Sequence, residues 1–116
     1  MKAATTLVLL AALAGTAHAE FVDGNKLLQL LQGEDRKNSD GIADFLQGLG
    51  YITGVADTMR GVVHCPPNNI TAGQLTDMVK QVLISQPENR HLTGDRIVGY
   101  TLRRAWPCPE RKGGGV

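Results

Sequence analysis

A chain of 116 residues is long enough for one domain but not for two, and 12 basic residues against 11 acidic ones give a formal charge of only +1. Nucleic-acid binding needs a clustered surplus of Lys and Arg, so this balance argues against a nucleic-acid partner. Histidine, cysteine and carboxylate residues show no metal-ligand spacing such as HExxH or CxxC, and we expect neither a metal nor another cofactor.

Residues 1–19 have the pattern of an export signal. Lys2 supplies a positive charge, residues 7–13 form a short apolar run, and residues 17–19 place alanines where a signal peptidase reads small side chains. The apolar run is too short to cross a bilayer. We therefore expect cleavage, a periplasmic mature protein with one domain over residues 20–108, and no membrane association afterwards.

Two amphipathic helices are predicted before the first cysteine. The first begins at Asp23, a residue type that caps helix N-termini, and ends at Gly33, a residue type at which helices stop. A polar loop follows. The second helix begins after Ser39 or Asp40 and ends at Gly61, with apolar residues spaced by threes and fours between them.

Three glycines interrupt the second helix, namely Gly48, Gly50 and Gly54. Each costs up to about 1 kcal/mol of helix stability relative to alanine. They indicate either the close approach of another helix or a local bend.

The third predicted helix has the most complete start signal. Thr71 and Gln74 have the spacing of a capping box, in which each side chain bonds the backbone N–H of the other residue. Ile70 and Leu75 are placed to form the accompanying hydrophobic staple. The connector before this helix, residues 62–69, contains two prolines that forbid a helix.

A polar segment separates the third helix from the fourth, and its residues are Gln86, Pro87, Glu88, Asn89, Arg90 and His91. It is either a turn or the start of the next helix, with proline near the first position. The inward residues of the fourth helix are predicted to be Ile97, Val98, Leu102, Ala105 and Trp106. The helix stops at Pro107, and residues 109–116 are expected to form a disordered tail. The sequence therefore predicts an all-α fold, a small four-helix bundle.

Cys65 and Cys108 follow the predicted export signal. An oxidising compartment converts an even set of cysteines to disulfides, so we expect a Cys65–Cys108 bridge that staples the bundle. In the chain-entropy account, closing this loop contributes about 4 kcal/mol. The competing interpretation is that Cys65 is a catalytic nucleophile. Its base would then be the adjacent His64 or His91, which is distant in the sequence. The disulfide is favoured, and His64 is then expected to be an exposed loop residue.

No catalytic constellation is found among the remaining residues. The Arg103–Arg104 pair lies at the end of the fourth helix, where a positive charge interacts favourably with the helix dipole. Core or interface packing is the default interpretation of Tyr51, Tyr100 and Trp106. We therefore expect that the protein is not an enzyme.

Several segments, in this order and spacing, resemble the Rap/Tai-type immunity proteins, which protect bacteria from peptidoglycan amidase effectors of type VI secretion. The segments are Gly50-Tyr51-Ile52-Thr53-Gly54-Val55-Ala56-Asp57, Cys65-Pro66-Pro67, Thr71-Ala72-Gly73-Gln74-Leu75, Pro87-Glu88-Asn89-Arg90-His91 and Ala105-Trp106-Pro107-Cys108. Family members often carry a second cysteine pair, which is absent here. The docking of the first helix is therefore expected to rest on its leucines.

The resemblance implies a periplasmic inhibitor that occludes a peptidoglycan amidase effector, often as a homodimer. The contact residues that it implies are Gln86, Pro87, Glu88, Asn89, Arg90 and His91. Arg90 and His91 would reach acidic or polar groups near the target's catalytic residues. In the alternative interpretation, Pro87, Arg90 and His91 only shape and cap the next helix.

Two other functions fit the same sequence. A small periplasmic chaperone of the acid-stress type would share the export signal, the size and the stapled helical fold. Such a chaperone would dissociate or partly unfold at acid pH and hold denatured clients. A divergent member of the same family with no effector at all is the third interpretation.

Overall fold

The computed structural model describes residues 21–110, so the predicted signal peptide and the part of the predicted tail after Glu110 lie outside the described residues. Within residues 21–110, four helices follow one another: α1 (Gly24–Leu31), α2 (Ser39–Met59), α3 (Ala72–Ser85) and α4 (Gly94–Ala105). Two short 3-10 turns cover Gln32–Asp35 and Pro87–Asn89. Residues 21–110 contain no β-strand, which confirms the all-α prediction.

Helix α1 begins where the sequence predicts. The Asp23 side chain accepts a hydrogen bond of 2.8 Å from the backbone N–H of Lys26, the arrangement of an N-cap. The helix ends at Leu31, and the expected loop instead starts with the 3-10 turn. Lys80 on α3 forms an ion pair with Glu34 in this turn, which ties the turn to α3.

Helix α2 begins at Ser39, whereas a cap at Ser39 or Asp40 would place the first helical residue at position 40 or 41. Asn38 is the cap, since its side chain accepts a 2.8 Å hydrogen bond from the backbone N–H of Gly41. The helix ends at Met59, and the chain reverses through Gly61, whose φ of +78° favours glycine.

Only one of the three glycines in α2 marks a close helix approach. A Cβ atom at Gly48 would lie 2.9 Å from the Leu31 side chain of α1. Gly50 and Gly54 would place their Cβ atoms in open space, with nothing within 4 Å. Close approach is therefore confirmed at Gly48 and is wrong for the other two positions.

Helix α3 confirms the capping box. The Thr71 backbone N–H donates to Gln74 Oε1 at 2.8 Å, and the Gln74 backbone N–H donates to Thr71 Oγ1 at 3.2 Å. In α4, the expected inward position of Ala105 is wrong. Ala105 is exposed because it borders an open cleft against α3, where no side chain covers it.

The core lies where the four helices meet. Its buried residues are Leu27, Leu28, Leu31, Ile52, Ala56, Val79, Leu83, Ile97, Val98 and Leu102. Trp106 packs against this cluster while remaining partly exposed. Four leucines of α1 are buried, which confirms that leucines dock the first helix.

Candidate functional site

The predicted contact segment, residues 86–91, is a turn and not the start of α4. Pro87–Asn89 form the 3-10 turn, and α4 begins only at Gly94. Pro87, Glu88 and His91 are exposed, while Gln86, Asn89 and Arg90 are half-buried. The turn therefore offers a partner three of its six side chains freely.

Arg90 has a structural task in this turn. Its Nε–H donates to the Leu83 carbonyl oxygen at 2.6 Å, and its Nη2 donates to the Ile84 carbonyl oxygen at 3.4 Å. The last carbonyls of a helix lack partners within the helix, so these bonds cap α3. Arg90 thus caps the preceding helix, whereas the sequence suggested capping of the next one.

The exposed side of the turn carries Glu88 and His91. His91 Nδ1 lies 2.9 Å from the Glu88 carbonyl oxygen, so this nitrogen donates its proton to the backbone of the turn. The Nε2 edge of His91 and the Glu88 carboxylate therefore are available to a partner. Together they present one hydrogen-bonding ring edge and one negative charge.

The base of the turn is fixed to the start of α1. The Gly24 N–H donates to the Leu92 carbonyl at 3.0 Å, and the Asn25 N–H donates to the Arg90 carbonyl at 3.1 Å. The Gly94 N–H returns a bond of 2.7 Å to the Val22 carbonyl. These backbone bonds were not predictable from the leucine pattern, and they dock α1 together with its leucines.

The predicted disulfide is confirmed. Cys65 and Cys108 are bonded, with their Cα atoms 4.8 Å apart and a sequence separation of 43 residues. The Cys65 N–H also donates to the Trp106 carbonyl at 2.8 Å. The bridge therefore encloses α3, the turn and α4, and neither cysteine is available as a thiolate nucleophile.

His64 is buried, and the expectation of an exposed loop residue is wrong. Only 1% of its surface is exposed, because the connector folds back under the end of α2 through a 2.8 Å bond from the Gly61 N–H to the His64 carbonyl. His64 Nε2 donates to the Ala56 carbonyl oxygen at 2.8 Å. Its Nδ1 has no hydrogen-bond partner within residues 21–110, and His64 is one of the residues that line a cavity of about 20 Å³.

Tyr51 of α2 packs against the start of α4. Its ring lies against Gly94 at the first turn of α4, where a Cβ atom would be 2.8 Å from the ring. Burial raises the pKa of Tyr51 above its ordinary value of 10.0, and the negative charge of Asp95 adds to that effect. The ring therefore joins α2 to α4, which confirms packing as the role of this tyrosine.

Residues 21–110 lack the features of two other classes of site. No group of three or more histidine, cysteine or carboxylate side chains in this range is arranged to hold a metal ion. In the same range, no helix combines the length and the apolar character that a membrane crossing requires.

A cleft of about 620 Å³ opens beside the turn, between α3 and α4. Gln86, Asn89 and Arg90 of the turn form one of its ends, and Arg96, Tyr100 and Arg103 of α4 line one side. Sequence reasoning missed this second surface. The available signal was the spacing of those three α4 residues, which places them on one helix face.

Comparison with known proteins gives one positive result. The sequence model of the family described as Rap1a immunity proteins matches residues 23–108. The match begins at the cap of α1, ends at the second cysteine of the disulfide, and so includes all four helices. No curated protein matches the chain.

Proposed function

Because the chain belongs to the Rap1a immunity protein family, we propose that it binds a peptidoglycan amidase effector of a type VI secretion system and occludes its active site. The observation that carries this proposal is the family match over the whole helical domain. Immunity proteins of this kind are generally not enzymes, and they neutralise their partner by binding it. Occlusion needs a well-held surface and no reactive group.

The turn at residues 86–91 is the contact that we propose. Its base is held by backbone hydrogen bonds to α1 and by the Arg90 cap on α3. A surface that is already ordered loses little conformational entropy on binding, which favours affinity. The exposed Glu88 and His91 side chains would enter the effector's cleft. Arg90 would hold the turn that carries them through its hydrogen bonds to the end of α3.

We also propose that the mature protein acts in the periplasm, after cleavage of residues 1–19. The Cys65–Cys108 disulfide supports this location, because such bonds persist in oxidising compartments and are rare in the cytosol. Peptidoglycan lies in the same compartment, so an amidase and its inhibitor would meet there.

A homodimer is part of the same proposal. The outer face of α2 exposes 58% of Ile42 and 58% of Leu46, and it continues past Gly50 and Gly54, where the surface is open. Light scattering should give a dimer mass for the mature protein, and Leu46→Glu should give a monomer. A monomer mass for the unchanged protein would contradict the proposed dimer and would leave the proposal of effector binding standing.

The direct test uses the amidase effector that this proposal predicts to be encoded by the neighbouring coding sequence, produced with its catalytic residue intact. The two proteins should co-purify, and hydrolysis of peptidoglycan should stop when the immunity protein is added. Glu88→Ala with His91→Ala should weaken inhibition at least about tenfold, as expected for central contact residues. Lys37→Ala with Asp40→Ala, two changes at exposed charged positions away from the turn, should leave inhibition unchanged.

The chaperone alternative makes a different prediction for the same preparations. A holding chaperone suppresses aggregation of an acid-denatured client, whereas an immunity protein does not. Suppression of aggregation at acid pH, together with no binding to the amidase, would replace the immunity proposal with the chaperone.

A further inference from the structure

One face of α4 concentrates exposed basic and aromatic side chains. Arg96, Tyr100 and Arg103 are spaced by four and then three residues, so they lie on one side of the helix. The two arginines are exposed, and 40% of Tyr100 is exposed. We call these three residues the arginine–tyrosine face. It points away from the core residues Val98 and Leu102.

The arginine–tyrosine face borders the cleft of about 620 Å³ between α3 and α4. Apolar side chains of the cleft wall are Val63, Val82, Leu83, Leu92 and Ile97. A second cleft of about 370 Å³ shares Val82, Gln86 and Tyr100 with the first, and it adds Arg104 and the exposed Ala105. The two form one groove, which we call the α3–α4 groove, and it is apolar inside and basic at its α4 rim.

The charge of the groove differs from that of the whole chain. Neither cleft is lined by any aspartate or glutamate, although the chain carries nearly equal numbers of basic and acidic residues. The ion pairs found within residues 21–110 are Arg36–Asp44, Lys80–Glu34 and Lys80–Asp35. Within that range, Arg96, Arg103 and Arg104 therefore have no carboxylate within ion-pair distance.

Tyr100 is held in place at the centre of this rim. The Nη1 of Arg104 donates to the Tyr100 hydroxyl oxygen at 2.8 Å, and its guanidinium carbon lies 5.5 Å from the centre of the ring. An aromatic side chain with a fixed orientation between two apolar pockets is the residue type that dominates protein interfaces. Tyr100 thus has the position of an anchor.

The helix dipole explains only part of this arrangement. Arg103 and Arg104 lie in the last turn of α4, where a positive charge is favourable. Arg96 is the third residue of the helix, where the same dipole disfavours a positive charge. Arg96 therefore needs another explanation, and a negatively charged partner in the groove supplies one.

We propose that the α3–α4 groove binds an acidic segment of the effector, one that inserts an apolar or aromatic side chain between flanking aspartates or glutamates. This inference rests on the proposed function and adds a second contact beside the turn. Charge complementarity selects the occupant: guanidinium groups bind carboxylates in bidentate geometry, and the apolar wall accepts an apolar side chain. Since the turn closes one end of the groove, one effector surface covers both.

The first experiment measures affinity for the amidase-like effector by calorimetry. Arg96→Glu with Arg103→Glu should weaken binding at least about tenfold, and so should Tyr100→Ala. The matched control, Lys26→Glu with Lys37→Glu, makes the same charge change at exposed positions outside the groove and should stay within about twofold. Tyr100→Phe keeps the ring and its contact with the Arg104 guanidinium but loses the hydroxyl bond, so it should weaken binding less than Tyr100→Ala does. Normal binding by both the Arg96/Arg103 and Tyr100→Ala variants would overturn the inference and leave the proposed function standing.

The second experiment uses a fluorescent dodecapeptide with a central tryptophan flanked by glutamates, and a version with lysines in place of the glutamates. The acidic peptide should bind the unchanged protein and not the Arg96/Arg103 variant, and the lysine version should not bind. If the acidic peptide binds while the effector does not, the groove is supported and the effector proposal fails. If neither acidic peptide nor lysine peptide binds, or if an oligothymidylate or an anionic lipid vesicle displaces the acidic peptide, the inference is overturned.

Discussion

Gly24 lies where α1 meets the backbone of the contact turn. A Cβ atom there would be 2.8 Å from the Arg90 carbonyl oxygen and 2.6 Å from the Ile97 side chain. Gly24→Ala should therefore lower the free energy of unfolding by about 1–3 kcal/mol, as overpacking does. Gly50→Ala should instead raise it by about 0.5–1 kcal/mol, because its Cβ meets open space and alanine favours helix. Urea denaturation of both variants measures the difference, and equal effects would contradict the close approach at Gly24.

His64 is the buried polar residue that the sequence placed at the surface. His64→Ala removes a fully buried ring and its hydrogen bond to the Ala56 carbonyl. We expect a loss of about 2–4 kcal/mol in unfolding free energy, from the cavity and the unpaired carbonyl together. The exposed His91→Ala should change stability by less than about 0.5 kcal/mol. Similar small effects at both histidines would contradict the buried position.

The raised pKa values of Tyr51 and Lys80 make the free energy of unfolding depend on pH in the alkaline range. Burial raises the pKa of Tyr51, and the hydrogen bond with Glu34 raises the pKa of Lys80 above its ordinary 10.5. Both groups hold a proton more tightly in the folded protein than in the unfolded chain. Their contribution to the free energy of unfolding is therefore complete below their unfolded pKa values near 10, and it is lost as the pH rises through their folded pKa values. Denaturation curves on either side of about pH 10 should show the fall. Tyr51→Phe should reduce it, and an unchanged fall in that variant would contradict the role of Tyr51.

At the level of helices, the sequence is most informative where the signal is local. The capping box of Thr71 and Gln74 depends on two residues three positions apart, so it could be predicted correctly. The start of α2 was harder, because Asn38, Ser39 and Asp40 are all good caps and only the folded backbone selects Asn38. Similarly, nothing local distinguishes Gly48, which contacts α1, from Gly50, which faces open space.

The disulfide joins the connector to the end of α4, and its removal should affect the whole bundle. Cys65→Ser with Cys108→Ser avoids a free thiol and should cost about 4 kcal/mol by the chain-entropy account. In a domain of this size, that corresponds to a fall in melting temperature of more than about 15 °C. Calorimetry measures the shift, and addition of a reductant to the unchanged protein should reproduce it. A negligible shift in the double variant would show that the bridge does not support the fold.

For the whole molecule, the sequence could locate the segment proposed as the contact but not the surface around it. Proline and polar residues between two amphipathic helices predicted either a turn or the start of α4, and the structure shows the turn. The backbone bonds from Gly24 and Asn25 to the turn join segments that are distant in the chain, so no local pattern predicts them. The α3–α4 groove arises in the same way, from the packing of two helices.

The position of Arg90 shows how the turn and the fold depend on each other. The sequence offered two roles for it, partner contact and helix capping. The structure assigns its guanidinium to the end of α3, which leaves Glu88 and His91 as the exposed polar side chains of the turn. Arg90→Ala should therefore lower both stability and inhibition, whereas Glu88→Ala should lower inhibition alone. Melting curves and inhibition assays on the same two variants separate these effects, and a stable Arg90→Ala protein would contradict the capping role.

The measurement that tests the central claim most directly is a titration of amidase activity. The proposed amidase effector is held at a fixed concentration on peptidoglycan, and the immunity protein is added stepwise. Inhibition by occlusion predicts that activity falls in proportion to the added protein and is abolished near an equimolar ratio of binding sites. Full activity at a large molar excess would contradict the claim.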